Sequence, residues 1–101
     1  MRAVLVEPLR TARIVDIENS LKSLQSIVGG YIQAIYPWDD PVAVICADEA
    51  FDKIPNRSLE DYDILRGTFL VVGLTEDNFG ELSPALAEKY RRRFYYAEIF
   101  C

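Results

Sequence analysis

The chain opens with two short apolar segments whose pattern predicts a β-hairpin. Residues 2–6 and 12–17 are rich in valine and isoleucine, and a polar stretch that includes Pro8 separates them. Short β-branched runs bounded by proline and polar residues are typical of strands joined by a turn. We therefore expect these two elements to be neighbours in a sheet.

The next segment repeats its apolar residues at helical spacing. Asn19 is a residue type that caps helix N-termini, and Gly29 supplies the left-handed conformation that commonly ends a helix. Between them, four apolar residues fall on one helical face: Leu21, Leu24, Ile27 and Val28. This pattern predicts a short helix that covers one face of the sheet.

Two β-rich segments follow the helix. In residues 31–36 both sides of the strand alternation are largely apolar, which favours a central position in the sheet. Residues 37–41 begin and end with proline and predict a turn. The apolar run at residues 42–46 predicts another strand. A helix, a strand, a turn and a strand in this order indicate a small α+β domain.

The middle of the chain loses this regularity. Residues 47–63 carry Pro55, Asn56 and Ser58 among many charges and few large apolar residues. We predict an irregular loop that contains at most a single helical turn and extends to residue 66. A connection of this length inside a compact domain is usually functional or mobile.

The last third of the chain returns to clear patterns. Residues 67–73 form an uninterrupted apolar run between two glycines, and we expect this strand at the centre of the sheet. Residues 75–78 predict a turn or a short helix. Ser83 followed by Pro84 is a strong helix start. The predicted helix runs to about residue 96, and its buried stripe consists of Leu86, Tyr90 and Phe94.

Together these elements predict a single domain, residues 1–101, of the α+β class. We expect a small, mostly antiparallel sheet of about five strands with two main helices, in the order ββαββ-loop-βα. The predicted core consists of Val4, Val6, Ile14, Leu24, Ile27, Ile32, Ala34, Val44, Phe69, Val71, Leu86 and Tyr90.

Composition narrows the chemistry. The chain contains no histidine, which is the usual general base near neutral pH and the commonest metal ligand. We therefore predict a non-enzymatic protein without catalytic residues, metal or cofactor. The N-terminus lacks a secretory signal and no apolar run approaches the roughly 20 residues that cross a bilayer. We expect a cytoplasmic protein without membrane contact, in which Cys46 and Cys101 form no disulfide.

Charge is unevenly distributed along the chain. Residues 39–63 hold eight acids against two cations, and their spacing does not match a calcium-binding loop, so we interpret them as solvated loop charges. Near the C-terminus the sign reverses at Lys89, Arg91, Arg92 and Arg93. These cations indicate either a contact surface for phosphates or a favourable interaction with the negative end of the helix dipole. The net charge of −5 disfavours nucleic acid as a partner.

The most suggestive polar residues lie in the long loop and in the turn before the fourth strand. Asn56 and Arg57 can present a fork to a carboxylate or phosphate, although such an arginine can also pair with a neighbouring acid. Trp38 is either an interface anchor or a cap on the core. Because loops carry function on rigid scaffolds, we predict a binding site formed by Trp38, Asp39, Asp40, Asn56 and Arg57, with Arg57 as the anion-directed anchor.

Several blocks of the chain together resemble an uncharacterised family of domains of unknown function. They are residues 1–8, the Gly-Gly-Tyr block at 28–42, the Pro-Asn-Arg sequence at 55–57, the Gly-Thr-Phe strand at 67–73 and residues 82–94. The resembled family is found in phages, conjugative elements and multi-domain polyvalent proteins of bacteria. The resemblance implies this biological context and no established chemistry.

Three classes of function remain. We favour a small non-enzymatic binding protein of a phage or mobile element that acts on a host or phage protein and inhibits a host defence protein. The alternative is a small-ligand or nucleotide-sequestering protein with Tyr31, Asn56 and Arg57 as contacts. The third class, an enzyme or a nucleic-acid module, has the least support, because the sequence contains no P-loop and no recognisable catalytic constellation.

Overall fold

The computed structural model describes residues 1–60 and 63–100. This part of the chain forms eight strands and two helices. In chain order they are β1 (Arg2–Val6), β2 (Arg13–Asp16), α1 (Leu21–Val28), β3 (Ile32–Ile35), β4 (Val42–Ala47), β5 (Pro55–Leu59), β6 (Asp63–Arg66), β7 (Phe69–Leu74), β8 (Phe79–Gly80) and α2 (Pro84–Arg93). The predicted α+β class is confirmed.

The main sheet is antiparallel and has β7 at its centre. Its strands lie in the order β2-β1-β7-β4-β3, and the short β8 pairs with β7. The prediction of a central strand at residues 67–73 is therefore confirmed. The prediction that residues 31–36 are central is wrong, because β3 lies at the edge. Both faces of β3 are apolar because Ile32 and Ala34 pack on one side of the sheet and Ile35 packs on the other.

The sheet separates two apolar cores. On one face, α1 buries Leu24 and Val28 against residues of β4 and β7 such as Ile45 and Leu70. On the other face, α2 and the β5-β6 pair cover the alternate residues of the same strands. β4 and β7 are therefore buried on both sides, and for that reason each is a continuous apolar run.

Most of the predicted core is buried, and one residue is not. The fully buried members are Val4, Val6, Leu24, Val44, Phe69, Val71 and Tyr90. Partly buried members that pack against the two cores are Ile27, Ile32, Ala34 and Leu86. Ile14 is 42% exposed, so its assignment to the core is wrong; β2 is an edge strand and little covers it there.

The segment predicted as an irregular loop contains a second, two-stranded sheet. β5 and β6 pair antiparallel with a register shift between Pro55 and Arg57, and Leu59 and Leu65 join the core on the α2 face. Residues 48–54 are irregular, as predicted. The polar sequence concealed the hairpin, because strand preference depends on packing against neighbours more than on local composition.

The start of α1 differs by one residue from the prediction. Ser20 is the N-cap, and its Oγ accepts a hydrogen bond from the Ser23 N–H at 3.1 Å. The side chain of Asn19, the predicted cap, instead donates to the Phe79 carbonyl at 3.0 Å. Gly29 ends the helix at a φ of 90°, as predicted.

The start of α2 agrees with the prediction. Ser83 is the N-cap and Pro84 is the first helical residue. The helix ends at Arg93, before the predicted residue 96, and residues 75–78 form the turn between β7 and β8. Neither helix of the described chain is long and apolar enough to span a bilayer.

Candidate functional site

Two of the five predicted site residues, Asn56 and Arg57, are buried inside the protein. Asn56 donates from Nδ2 to the carbonyls of Val6 and Gly67, at 3.0 and 2.8 Å. Its Oδ1 accepts from Arg57 Nη1 at 2.6 Å. The amide therefore ties β5 to β1 and to Gly67 in the link between β6 and β7, and it is not exposed to an incoming ligand.

The Arg57 guanidinium binds backbone carbonyls from three parts of the chain. Nε donates to the Phe94 carbonyl at 3.0 Å, Nη1 to the Asn56 carbonyl at 3.1 Å, and Nη2 to the Arg10 carbonyl at 2.5 Å. Burial lowers the pKa of Arg57 from its ordinary value, and the charge of Glu98 opposes this shift. The described partners are thus carbonyls rather than the neighbouring acids that the sequence offered.

A buried cation is tolerated at this position because of where α2 ends. Phe94 is the C-cap residue of α2, so the guanidinium of Arg57 meets the negative end of the helix dipole. Every polar side-chain atom buried in the described residues has a hydrogen-bond partner, and a buried charge is stable only when its donors are satisfied in this way. Arg57 therefore joins elements within the fold.

Trp38 and Asp40 lie against α2. The indole of Trp38 packs on the Tyr90 ring at a centroid distance of 4.5 Å and on Phe94 at 6.0 Å. Asp40 Oδ2 accepts from Lys89 Nζ at 2.6 Å and from the Tyr90 hydroxyl at 2.7 Å. These contacts hold the turn at residues 37–41 against the helix.

The hydrogen bonds around Asp40 shift the pKa values on both sides. Those from Lys89 and Tyr90 lower the pKa of Asp40. Burial, followed by the hydrogen bond to Asp40, raises the pKa of Tyr90 far above its usual range. Asp39, the fifth predicted residue, is exposed. The structure thus places Trp38 and Asp40 in a turn that packs against α2, whereas Asn56 and Arg57 lie in the interior.

A polar cavity of about 310 Å³ lies between the β5-β6 hairpin and the end of α2. Inside it, Glu60 Oε1 accepts from Trp38 Nε1 at 3.0 Å and from Arg93 Nη2 at 2.9 Å. Glu98 accepts from the Ser58 hydroxyl at 2.6 Å and from the Ser58 N–H at 2.9 Å. Because its charged groups already have partners, this cavity presents little unpaired charge to a ligand.

The C-terminal cations also have partners within the fold. Lys89 pairs with Asp40, Arg91 and Arg92 pair with Glu88, and Arg93 pairs with Glu60. The hydrogen bonds from the two arginines lower the pKa of Glu88 to about 2. The three arginines occupy the last turn of α2, where cations are favourable.

The outer edge of β3 is a different kind of surface, and the sequence did not predict it. The Tyr31 carbonyl accepts from the Asp48 N–H at 2.9 Å, and residues 31 and 48 are opposite each other in the extended register. In an antiparallel pair every second residue bonds its partner strand. Gln33 and Ile35 therefore bond β4, whereas the N–H and C=O groups of Ile32 and Ala34 point away from the sheet.

Exposed tyrosines flank this edge. Tyr31 precedes β3 and is 80% exposed, and Tyr36 follows it and is 60% exposed. No strand of the described chain pairs with the outer side of β3. Unpaired strand edges are templates for another strand, and natural proteins usually cover or charge them.

A cavity adjoins each end of this edge. The first, of about 350 Å³, is lined by Tyr31 with Asp48 and Glu49. The second, of about 290 Å³, has an apolar wall that includes Ile35 and an acidic rim that includes Asp63. The available sequence signals were the tyrosines at both ends of the strand and the acids on either side. They could not identify an edge, because sheet order depends on pairing between distant segments.

Among the described residues, neither a metal-binding cluster nor a disulfide contributes to the β3 edge. Within residues 1–60 and 63–100, no group of three or more histidine, cysteine, aspartate or glutamate side chains is arranged to hold a metal ion. Cys46 is a buried free thiol, and burial raises its pKa. Cys101 and Asp61, one of the eight acids, lie outside the described residues.

Fold and surface together define a small α+β protein whose main sheet has an unpaired, acid-flanked edge at β3. Residues 1–95 match the model of a family described as domain of unknown function DUF3846, and the chain belongs to this family. No curated protein and no solved structure matches the chain.

Proposed function

We propose that this protein is a non-enzymatic binding protein that takes up an extended segment of a partner protein as an additional strand beside β3. The observation that carries the proposal is the outer edge of β3, where Ile32 and Ala34 direct their backbone N–H and C=O groups away from the sheet. Addition of a strand to an exposed edge is a recurrent mode of peptide recognition, in which backbone hydrogen bonds provide affinity and neighbouring pockets provide specificity.

The flanking features suit such a role. Tyr31 and Tyr36 are exposed at the two ends of the edge, and tyrosine is enriched at interfaces because it combines an apolar ring with a polar tip. The two cavities beside these ends provide places for side chains of an added strand. The predicted anchor Arg57 is 1% exposed, so we propose the sheet edge as the binding surface in place of Asn56 and Arg57.

The setting that we propose comes from the resemblance to domains of phages and conjugative elements. In this setting the protein acts in the cytoplasm of a bacterial host, and its partner is a host or phage protein. In the same setting we propose that binding to the partner inhibits a host defence protein.

A proline substitution at the edge tests the proposal. Ala34→Pro removes an outward N–H and leaves the bonds between β3 and β4 in place, since proline is tolerated on the solvent side of an edge strand. The wild type and this variant are used to capture partners from a host lysate. We expect a partner that the wild type retains and the variant loses. In the reconstituted complex, hydrogen exchange should slow at the Ile32 and Ala34 amides.

A matched control lies on the opposite edge of the sheet. Ile14 belongs to β2. The Ile17 N–H donates to the Met1 carbonyl, and every second residue along this strand bonds β1, so the N–H of Ile14 points outward. Ile14→Pro should therefore retain the partner. Retention of the partner by Ala34→Pro, or protection from exchange elsewhere than in β3, would contradict the proposal.

A small-ligand binder is the second candidate. The cavity beside Tyr31 favours it, because it combines an exposed aromatic ring with the ammonium group of Lys53. Asp48 and Glu49 line the same cavity and disfavour anionic ligands such as nucleotides. Native mass spectrometry of the purified protein distinguishes the candidates, since a sequestering protein should carry a bound small molecule.

A further inference from the structure

We infer that the segment which β3 accepts is positively charged, with a lysine or arginine at each end of an extended stretch of about six residues. This inference rests on the proposed function and concerns the chemistry of the partner. It follows from the chemistry of the two cavities and from the length of strand that separates them.

The cavity at the end of β3 suits the side chain of a lysine or arginine. Its apolar wall is formed by Ile35, Pro37 and Leu59, and its acids are Glu60 and Asp63. Lysine and arginine lay their aliphatic stems on apolar surfaces and keep the charged group at a polar rim. Glu60 already binds Arg93, whereas Asp63 has no ion-pair partner among the described residues, so Asp63 is the acid open to a ligand.

The cavity at the start of β3 is also lined by two acids, which one cation accompanies. Asp48 and Glu49 line it together with Tyr31, and both acids are exposed. The ring of Tyr31 adds a surface on which a cation can rest. The one cation in the lining is Lys53, and its Nζ lies 3.6 Å from the position that a Cβ on Gly29 would occupy. Lys53 is thus placed at the negative end of α1.

The distance between the cavities sets the spacing of the two cationic residues. A strand rises about 3.4 Å per residue, so the five steps from Tyr31 to Tyr36 span roughly 17 Å. A partner strand that runs beside this stretch has the same rise, and its residues opposite the two ends are separated by about four others. The residues between them face an edge with apolar side chains on both sides, namely Ile32, Ala34 and Ile35.

The same charges oppose a second copy of this chain as the occupant. Pairing of β3 with β3 of another molecule in an antiparallel, symmetric manner would bring Asp48 and Glu49 of one copy near Asp63 of the other. The chain as a whole carries a net charge of −5. Like charges across an interface reduce association, whereas a cationic segment is attracted to this edge.

Synthetic peptides provide a direct test. The probe is a fluorescein-labelled peptide of alternating threonine and valine with two lysines separated by four residues. The comparison peptides replace both lysines by glutamine or by glutamate, or place the lysines next to each other. At low ionic strength, fluorescence anisotropy should show about tenfold tighter binding of the probe than of the glutamine peptide, still weaker binding of the glutamate peptide, and a loss of the difference as salt is added.

Charge reversal in the protein identifies the acids. Asp48→Lys with Asp63→Lys should invert the preference, so that the glutamate peptide binds more tightly than the probe. Glu18→Lys is the matched control. Glu18 is exposed and lies between β2 and α1, away from the β3 edge, so this variant should keep the preference of the wild type.

The outcomes separate this inference from the proposed function. If the lysine, glutamine and glutamate peptides bind equally and Ala34→Pro abolishes binding of all of them, the charge inference is overturned and strand addition is supported. If the probe binds Ala34→Pro as tightly as it binds the wild type, strand addition itself is overturned. If the adjacent-lysine peptide matches the probe, the spacing is wrong. A dimer that sedimentation detects in the wild type and not in Ala34→Pro would assign the edge to a second copy.

Discussion

The Asn56-Arg57 pair and strand β3 each lie where their residue types would not predict. The pair is polar and charged, yet its members are 0% and 1% exposed. β3 is largely apolar, yet it lies at the margin of the sheet. The pair is stable inside because its hydrogen-bonding groups are satisfied, whereas β3 is at an edge although its side chains pack on both faces.

The difference separates two properties that are often treated as one. Burial of a side chain depends on what covers it, and the two apolar cores cover much of β3 from the two faces of the sheet. Availability for binding depends also on the backbone, and the outward N–H and C=O groups of β3 have no strand beside them in the described sheet. A polar side chain whose donors are all engaged is therefore a weaker candidate for recognition than an apolar strand with a free edge.

The largest expected effect is on stability, from Arg57→Leu. The change leaves the carbonyls of Arg10, Asn56 and Phe94 without their donor, and unsatisfied buried polar groups are costly. We expect a loss of about 3–4 kcal/mol in the free energy of unfolding, measured by urea denaturation. Arg10→Leu is the control: the Arg10 side chain is exposed, and Arg57 bonds only the backbone carbonyl of Arg10, so the substitution should change stability by less than about 0.5 kcal/mol.

The next effect tests the alternation of hydrogen bonds along β3. Gln33→Pro removes an N–H that bonds β4 and should destabilise the protein by about 2 kcal/mol. Ala34→Pro removes an N–H that points outward and should cost less than about 1 kcal/mol. Thermal unfolding of the two variants measures the contrast. Equal destabilisation would mean that the bonding alternation is not as derived, and the edge would lose its assignment as a docking surface.

A smaller effect concerns acid stability and the contacts of α2. The pKa of Glu88 falls from 4.5 to about 2 in the folded protein, because Arg91 and Arg92 donate to its carboxylate. A lowered pKa means that the folded state binds fewer protons than the unfolded state in this range, so this stabilisation is complete above about pH 4.5 and is lost as the pH falls towards 2.

Glu88→Gln should therefore reduce stability at neutral pH and flatten the loss of stability between pH 4.5 and 2. Asp40→Asn should act in the same direction, because hydrogen bonds from Lys89 and Tyr90 also lower the pKa of Asp40. Urea denaturation at a series of pH values measures both slopes. An unchanged acid slope in Glu88→Gln would contradict the assigned pairing with the arginines.

The sequence predicted the elements whose signals are local. The run between Gly67 and Gly73 identified the central strand, because a strand buried on both faces must be apolar throughout. Ser83 with Pro84 and the left-handed Gly29 identified helix ends, because capping depends on a few adjacent residues.

The elements that the sequence did not predict depend on distant contacts. β5 and β6 are polar strands held by Leu59, Leu65 and the hydrogen bonds of Asn56 and Arg57 to other elements. The position of β3 at the edge depends on which strands pair with β4, and no local pattern encodes it. The burial of Asn56 and Arg57 has the same origin, because the carbonyls of Val6, Arg10 and Phe94 that they bond are distant in sequence.

The guanidinium of Arg57 also has a consequence for the lifetime of the folded state. Two of its carbonyl partners lie 37 and 47 positions away along the chain. Such contacts require closure of long loops and the prior arrival of β1, β5 and α2, so we expect them to form after the folding transition state. A contact absent from that state slows unfolding without speeding folding. Stopped-flow kinetics of Arg57→Leu should show faster unfolding and a nearly unchanged folding rate. This buried cation would then lengthen the lifetime of the folded state without affecting how fast it forms.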